Sequence, residues 1–146
     1  GKVRENADRL GLSFTIEAAP DTPGNVKYDF ILADAPCSGS GVIRRHPDIK
    51  ALRTREDLMQ FHEQQIKILR NLWMELKPGG QLLYVTCSIF GQENDDTIAS
   101  FCNTEPSARC DVLQVNWGEP TRFGRQLLPQ VNGTDGLYYA KLSKAE

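Results

Sequence analysis

The sequence predicts an α/β domain built on a parallel sheet, and three observations carry that expectation. Tyr28–Ala33 and Gln81–Thr86 are short, mostly apolar runs of the kind that form buried parallel strands. Between them, Glu56–Leu76 places Leu58, Phe61, Ile66, Leu69, Leu72, Trp73 and Leu76 along one broad helical stripe. A second helical pattern follows at Glu93–Asn103, so strand and helix alternate as they do in α/β proteins.

Taken in order, the elements begin with a helix over residues 3–10, with Val3, Ala7 and Leu10 on one face and Gly11 at the stop position. It opens without a cap or an initiator Met, as if the chain continued from a longer one. Ser13–Glu17 alternates like a short strand, and Asp21–Asn25, with Pro23 and Gly24, is turn chemistry. Ala35–Ile49 is rich in Gly, Pro and Ser and reads as a loop. Lys77-Pro78-Gly79-Gly80 ends the long helix and turns the chain into the second strand. The acidic first turn of the helix at Glu93 suits the helix dipole. From Cys110 the chain reads as strands joined by Gly-containing turns, closing on Gly136–Leu142. Trp73, Trp117, Tyr138 and Tyr139 are expected to pack in the core or along strands rather than to stack on bases.

The 146 residues suit one domain, and the 40% hydrophobic and 25% charged fractions are those of a folded globular protein rather than a disordered one. A net charge of −2 gives no global positive field, so any nucleic-acid contact must be local. Cys37, Cys87, Cys102 and Cys110 include no C-x-x-C pair, and only His46 and His62 add imidazoles, which argues against a zinc site. The expectation is four reduced thiols in a cytoplasmic protein, with no metal. No apolar run approaches membrane-spanning length.

The chemistry is expected at the carboxyl ends of the strands, where open α/β sheets bind their ligands. Asp34-Ala35-Pro36-Cys37-Ser38-Gly39-Ser40-Gly41 follows the first strand, and Thr86-Cys87-Ser88 ends the second. Each cysteine alone reads as a small buried hydrophobe. Two cysteines delivered to one rim, with a carboxylate beside one of them, read as a reactive site. Cys102 and Cys110 lack such company and read as structural.

DAPCSGSG, the downstream TCS, GVIRRHPDIKALR and the closing GTDGLYYAKL together resemble the Sun-type RNA cytosine carbon-5 methyltransferases, nearest to the bacterial branch that acts on small-subunit ribosomal RNA. The resemblance runs over nearly the whole chain. It implies a Rossmann-like sheet that uses S-adenosylmethionine. It also implies that Cys87 is the nucleophile, that Cys37 assists product release, and that Asp34 interacts with cofactor or base. Asp34, Ala35 and Pro36 would touch the cofactor. A thiolate adding to carbon 6 of cytosine is what makes carbon 5 nucleophilic, so the reaction needs a cysteine of depressed pKa or a nearby base. Arg44, Arg45, His46 and Lys50, with Arg53 and Arg55 beyond, form the concentrated basic stretch and are the candidate RNA contacts.

In the resembling family a Gly-rich turn after the first strand and an acidic residue ending the second bind the cofactor, and neither is found in this sequence. The acidic residue expected near adenine is also displaced, since Glu17-Ala18-Ala19-Pro20 puts Asp21 two positions late. The chain therefore reads as residues 1–146 of a partial catalytic domain, a methyltransferase sheet truncated at its amino-terminal side and inactive by itself. Loss of two strands would leave an apolar edge at Tyr28–Ala33, open to self-association. The alternatives are an RNA- or ribosome-binding module of the same fold, and an amino-methylating enzyme whose corresponding strand also ends in an Asp/Asn-x-Pro-x cluster but which needs no cysteines.

Overall fold

A computed structural model describes residues 2–14 and 27–146. Helix α1 spans Lys2–Leu10; strand β1, Tyr28–Asp34; a one-turn helix α2, Ile49–Leu52; the long helix α3, Arg55–Glu75; strand β2, Leu76–Thr86; and helix α4, Asp95–Thr104. Strands β3 (Ala108–Asp111), β4 (Glu119–Pro120), β5 (Arg125–Leu127) and β6 (Leu137–Lys144) follow. The strand order is β1-β2-β6-β5-β4, with β3 also paired to β6. β1 and β2 are parallel, and β6 runs antiparallel to β2 on one side and to β3 and β5 on the other.

Alternation along β2 explains how the sheet is covered. Leu82, Tyr84 and Thr86 are fully buried, while Gln81, Leu83 and Val85 between them are half-buried. Leu82 stands opposite Leu142, Tyr84 opposite Ala140 and Thr86 opposite Tyr138, so one face carries a continuous row of buried side chains. Leu69 and Trp73 of α3 and Ile98 and Phe101 of α4 close that face. Trp73 meets Phe101 edge to face at 5.3 Å and donates its indole N–H to Ser107 Oγ at 2.9 Å, so its polar atom is satisfied inside the core.

Helix α3 starts where local chemistry tells it to. Thr54 Oγ1 accepts from the Asp57 amide at 3.2 Å, and Asp57 returns a bond to the Thr54 amide at 2.8 Å, a reciprocal cap. Those bonds hold the Asp57 carboxyl below its ordinary range.

Several expectations are corrected. Lys77–Gly80 does not precede β2 but bulges out of its start: Leu76 pairs with Tyr28, and the register resumes at Gln81 opposite Phe30. Gly79 takes the positive φ of 73° that the detour needs. The presumed loop 35–49 holds a 3₁₀ turn at Ser40–Val42, and α2 begins at its end. Residues 91–93 form a 3₁₀ turn, so Glu93 lies before α4 rather than at its first turn. Ser13 and Phe14 are outside any strand, and the rest of the expected strand 13–17, the turn 21–25 and Asp21 lie outside the described residues.

β1 is a terminal strand of the described sheet, as the sequence suggested. Phe30 is 74% exposed and Leu32 68% exposed, while Ala33 on the opposite face is 4% exposed. The expected apolar face of α1 is also largely open, since Val3 and Leu10 are exposed and only Ala7 is buried. Among the described residues no helix is long and apolar enough to cross a membrane.

Candidate active site

Parallel pairing of β1 with β2 sets the site. Asp34 stands opposite Val85, and the Ala35 amide donates to the Val85 carbonyl at 2.9 Å, so both chains leave the sheet level with each other. The next residues bring Cys37 Sγ to 3.3 Å from Cys87 Sγ, with both thiols half-buried. The pair shares its charge unequally. The hydrogen bond from Cys37 lowers Cys87 to about 7, against burial and the nearby Asp34 and Glu93 carboxylates. The same contact, with burial, drives Cys37 upward. The directions of the two shifts favour Cys37 as the donor and Cys87 as the sulfur that ionises first.

The loop after Cys37 is fixed by close backbone approach. The Gly41 amide donates to the Cys87 carbonyl at 2.9 Å, and the Gly136 amide donates to the Gly41 carbonyl at 2.8 Å. A Cβ at Gly41 would lie 2.1 Å from the Gly136 carbonyl oxygen and 2.9 Å from that of Cys87, so no other residue fits. Thr86 donates to Asn94 Oδ1 at 2.7 Å, and Asn94 Nδ2 donates to the Ser88 carbonyl at 3.0 Å, which ties the second cysteine loop to the start of α4.

Sequence reasoning placed Cys37, Cys87 and Asp34 on one rim, and the structure brings them together. Asp34 and Pro36 are exposed at the rim and Ala35 is buried. The Asp34 carboxylate makes no hydrogen bond or ion pair among the described residues, which leaves it open to a ligand. The basic stretch divides. Arg44 and Arg45 pair with Asp135 at 3.6 and 2.5 Å, while the His46 and Lys50 side chains are exposed with no polar partner among the described residues. Arg53 Nε donates to the Ser38 carbonyl at 3.0 Å and its guanidinium lies over Phe61 at 5.2 Å, so Arg53 buttresses the Cys37 loop. Cys102 and Cys110 lie apart among core residues, and burial pushes Cys110 up to about 12.

A model of the 16S rRNA methyltransferase RsmB/F family matches residues 1–143 of this sequence. The chain belongs to the RsmB/F family. Ribosomal RNA small subunit methyltransferase B of Shewanella oneidensis is 44% identical over 99% of this chain and 35% of its own length. The Klebsiella pneumoniae protein of the same description is 44% identical over 98% of this chain and 33% of its own length. The chain therefore spans about a third of the length of these curated relatives. A crystal structure described as a methyltransferase homologue from Pyrococcus horikoshii superposes with a TM-score of 0.79 at 31% identity, over 98% of this chain and 49% of that one. NSun6 from P. horikoshii, solved with SFG, gives 0.85 at 26% identity over 99% of this chain and 38% of its own. The described sheet is accordingly that of a Rossmann-like methyltransferase.

The residues that the sequence did not single out are those that hold this rim: Ser38, Ser88, Gln65, Glu93 and Asn94, all essentially buried. One signal was available, since each cysteine is followed directly by a serine.

Proposed function

We propose that this chain is the cysteine-bearing part of an RNA cytosine carbon-5 methyltransferase acting on small-subunit ribosomal RNA in the cytoplasm. The observation that carries the reading is the 3.3 Å contact between Cys37 and Cys87 with the charge on Cys87. A nucleophile of pKa about 7 is available as thiolate at physiological pH and remains a competent leaving group. The relatives' description as ribosomal RNA methyltransferases supports the substrate class.

The Cys87 thiolate adds to carbon 6 of the cytosine, and the ring electrons make carbon 5 the nucleophile. S-adenosylmethionine supplies an electrophilic methyl group; its analogue SFG accompanies the P. horikoshii NSun6 structure. Asp34, with an unpaired carboxylate at the rim, is placed to hold the base or the reacting end of the cofactor, and Ala35 and Pro36 border it. After methylation solvent water takes the carbon 5 proton as Cys87 is expelled from carbon 6 as thiolate, which a hydrogen bond from Cys37 to the departing sulfur assists. Lys50, Arg53 and Arg55 border a groove with Ser40, Ile49 and Phe90 beside the Cys87 loop, and with Arg44, Arg45 and His46 they suit contacts to RNA phosphates.

The test is covalent trapping with the protein at the length of its relatives, using RNA that contains 5-azacytidine and S-adenosylmethionine. The expected result is a cross-link that Cys87→Ala abolishes and Cys37→Ala retains. A cofactor-binding protein that forms no cross-link overturns the reading and leaves an RNA-binding module or another methyl acceptor. The 146-residue chain alone is expected to transfer no methyl group.

A further inference from the structure

Beneath the two cysteines lies a carboxylate that the reaction above does not use. Glu93 is completely buried, and among the described residues no cation hydrogen-bonds to it. Its Oε1 accepts from the Ser38 amide at 2.7 Å and from Gln65 Nε2 at 3.4 Å. Its Oε2 accepts from Ser38 Oγ at 2.6 Å and Ser88 Oγ at 2.5 Å. Four donors from three segments therefore converge on one side chain. Burying a carboxylate is costly unless such donors surround it, so this arrangement would not persist by default.

The placement of the donors is what matters. Ser38 follows Cys37 and Ser88 follows Cys87, so each cysteine loop is anchored to Glu93 one residue past its sulfur. With its proton given to Glu93, Ser88 Oγ accepts from Ser40 at 3.0 Å and from the Phe90 amide at 3.1 Å, and Ser40 Oγ accepts from the Ile89 amide at 3.0 Å. Gln65 of α3 also donates to the Pro36 carbonyl at 2.9 Å, and Thr97 donates to Gln65 Oε1 at 3.1 Å. Both loops thereby refer to α3 and α4 through a single group.

We propose that Glu93 is a positioning residue: it clamps the Cys37 and Cys87 loops at sulfur contact and places a fixed negative charge behind the Cys87 thiolate. The clamp secures the hydrogen bond that makes Cys87 the charged partner. The charge opposes that effect and, together with Asp34, keeps the thiolate from becoming too stable to attack. The titratable and charged groups facing Cys87 are Cys37, Asp34 and Glu93. The proposal rests on Cys37 and Cys87 being the working thiols of the proposed reaction, but its test needs neither RNA nor cofactor.

Two variants separate the clamp from the charge. In Glu93→Ala, with folding verified by circular dichroism, a diazene oxidant that removes two electrons and two protons from the thiol pair should form the Cys37–Cys87 disulfide about tenfold more slowly than in the native chain. Glu93→Gln keeps the shape and one acceptor oxygen, with its amide N–H able to donate to the Ser38 and Ser88 hydroxyls, and should largely restore that rate. It should also move the pH profile of Cys87 alkylation, followed by peptide mass spectrometry, to lower pH, with about two- to threefold more modification on the acid limb. A folded Glu93→Ala chain that cross-links at the native rate overturns the clamp. If Glu93→Ala does not fold, Glu93→Gln decides, and an alkylation profile superimposable on the native one overturns the proposal. Failure of azacytidine trapping with both Glu93 effects intact would instead sink only the methyl-transfer reading.

Discussion

Strand β1 joins two regions built on opposite plans. At its carboxyl end the chain enters a rim in which Ser38, Ser40, Ser88, Glu93 and Asn94 are buried and each polar side chain is hydrogen-bonded. A few residues earlier the outward face of β1 presents Phe30 and Leu32 to solvent, with no strand among the described residues on its outer edge. The first region spends polar groups to fix two sulfurs; the second leaves apolar surface and unpaired backbone available. The two thiols are thus positioned within this chain, whereas the described sheet that carries them is left open at β1.

The largest effect expected from this contrast is thiol selectivity. With Cys87 near 7 and Cys110 pushed up to about 12, alkylation at neutral pH should favour Cys87 over Cys110 by about a hundredfold or more. The direction follows from the thiolate: its fraction at Cys87 rises as pH rises through about 7, and reactivity should rise with it. Equal labelling of the two in a native digest would erase the distinction between the rim and the rest of the chain. Next, Gly41→Ala should cost about 3 kcal/mol, because its Cβ would meet two backbone carbonyls that hold the loops; urea denaturation measures it. A smaller loss would mean that the rim yields more easily than its contacts imply.

At the open edge the sign should reverse. Replacing Phe30 and Leu32 together by Asp and Lys should leave the urea midpoint nearly unchanged, since both side chains are exposed, while abolishing the self-association expected of the native chain. Sedimentation velocity distinguishes the cases, and a native chain that is strictly monomeric at micromolar concentration would remove the association half of the contrast. The smallest effect belongs to a site remote from both. Thr54→Ala, which removes the cap of α3, should cost about 1 kcal/mol by the same urea measurement without altering Cys87 alkylation.

Much of this was legible in the sequence because it depends on local pattern. The apolar runs ending in Asp34 and Cys87, the stripe on α3 and the two Pro-Cys-Ser and Thr-Cys-Ser turns follow from side-chain type and spacing. What was not legible depends on neighbours distant along the chain. Glu93 read as an acidic helix start because dipole chemistry is visible locally, whereas Ser38 and Gln65 lie 55 and 28 positions away. β1 read as buried on both faces because its composition is apolar, yet exposure is set by what covers the sheet. Arg44 and Arg45 read as candidate RNA contacts, and their pairing with Asp135 was hidden because Asp135 arrives only when the chain returns. The strand expected to start at Gln81 shows the same limit, since the bulge at Lys77–Gly80 is defined by its pairing with β1.

One feature of the sheet governs when the site is completed. β6 is synthesised after both cysteines, yet it lies between β2 and the pair β3 and β5, and Gly136 at its entrance secures the loop after Cys37. A nascent chain that has exposed Cys37 and Cys87 to the cell has not yet acquired the strand that holds their sheet together. On the ribosome the two thiols therefore spend an interval paired by sequence but not by structure. Assembly of the site waits on synthesis of the segment from Gly136 through β6, and a message that ends before Gly136 yields both cysteines without the contacts that hold them.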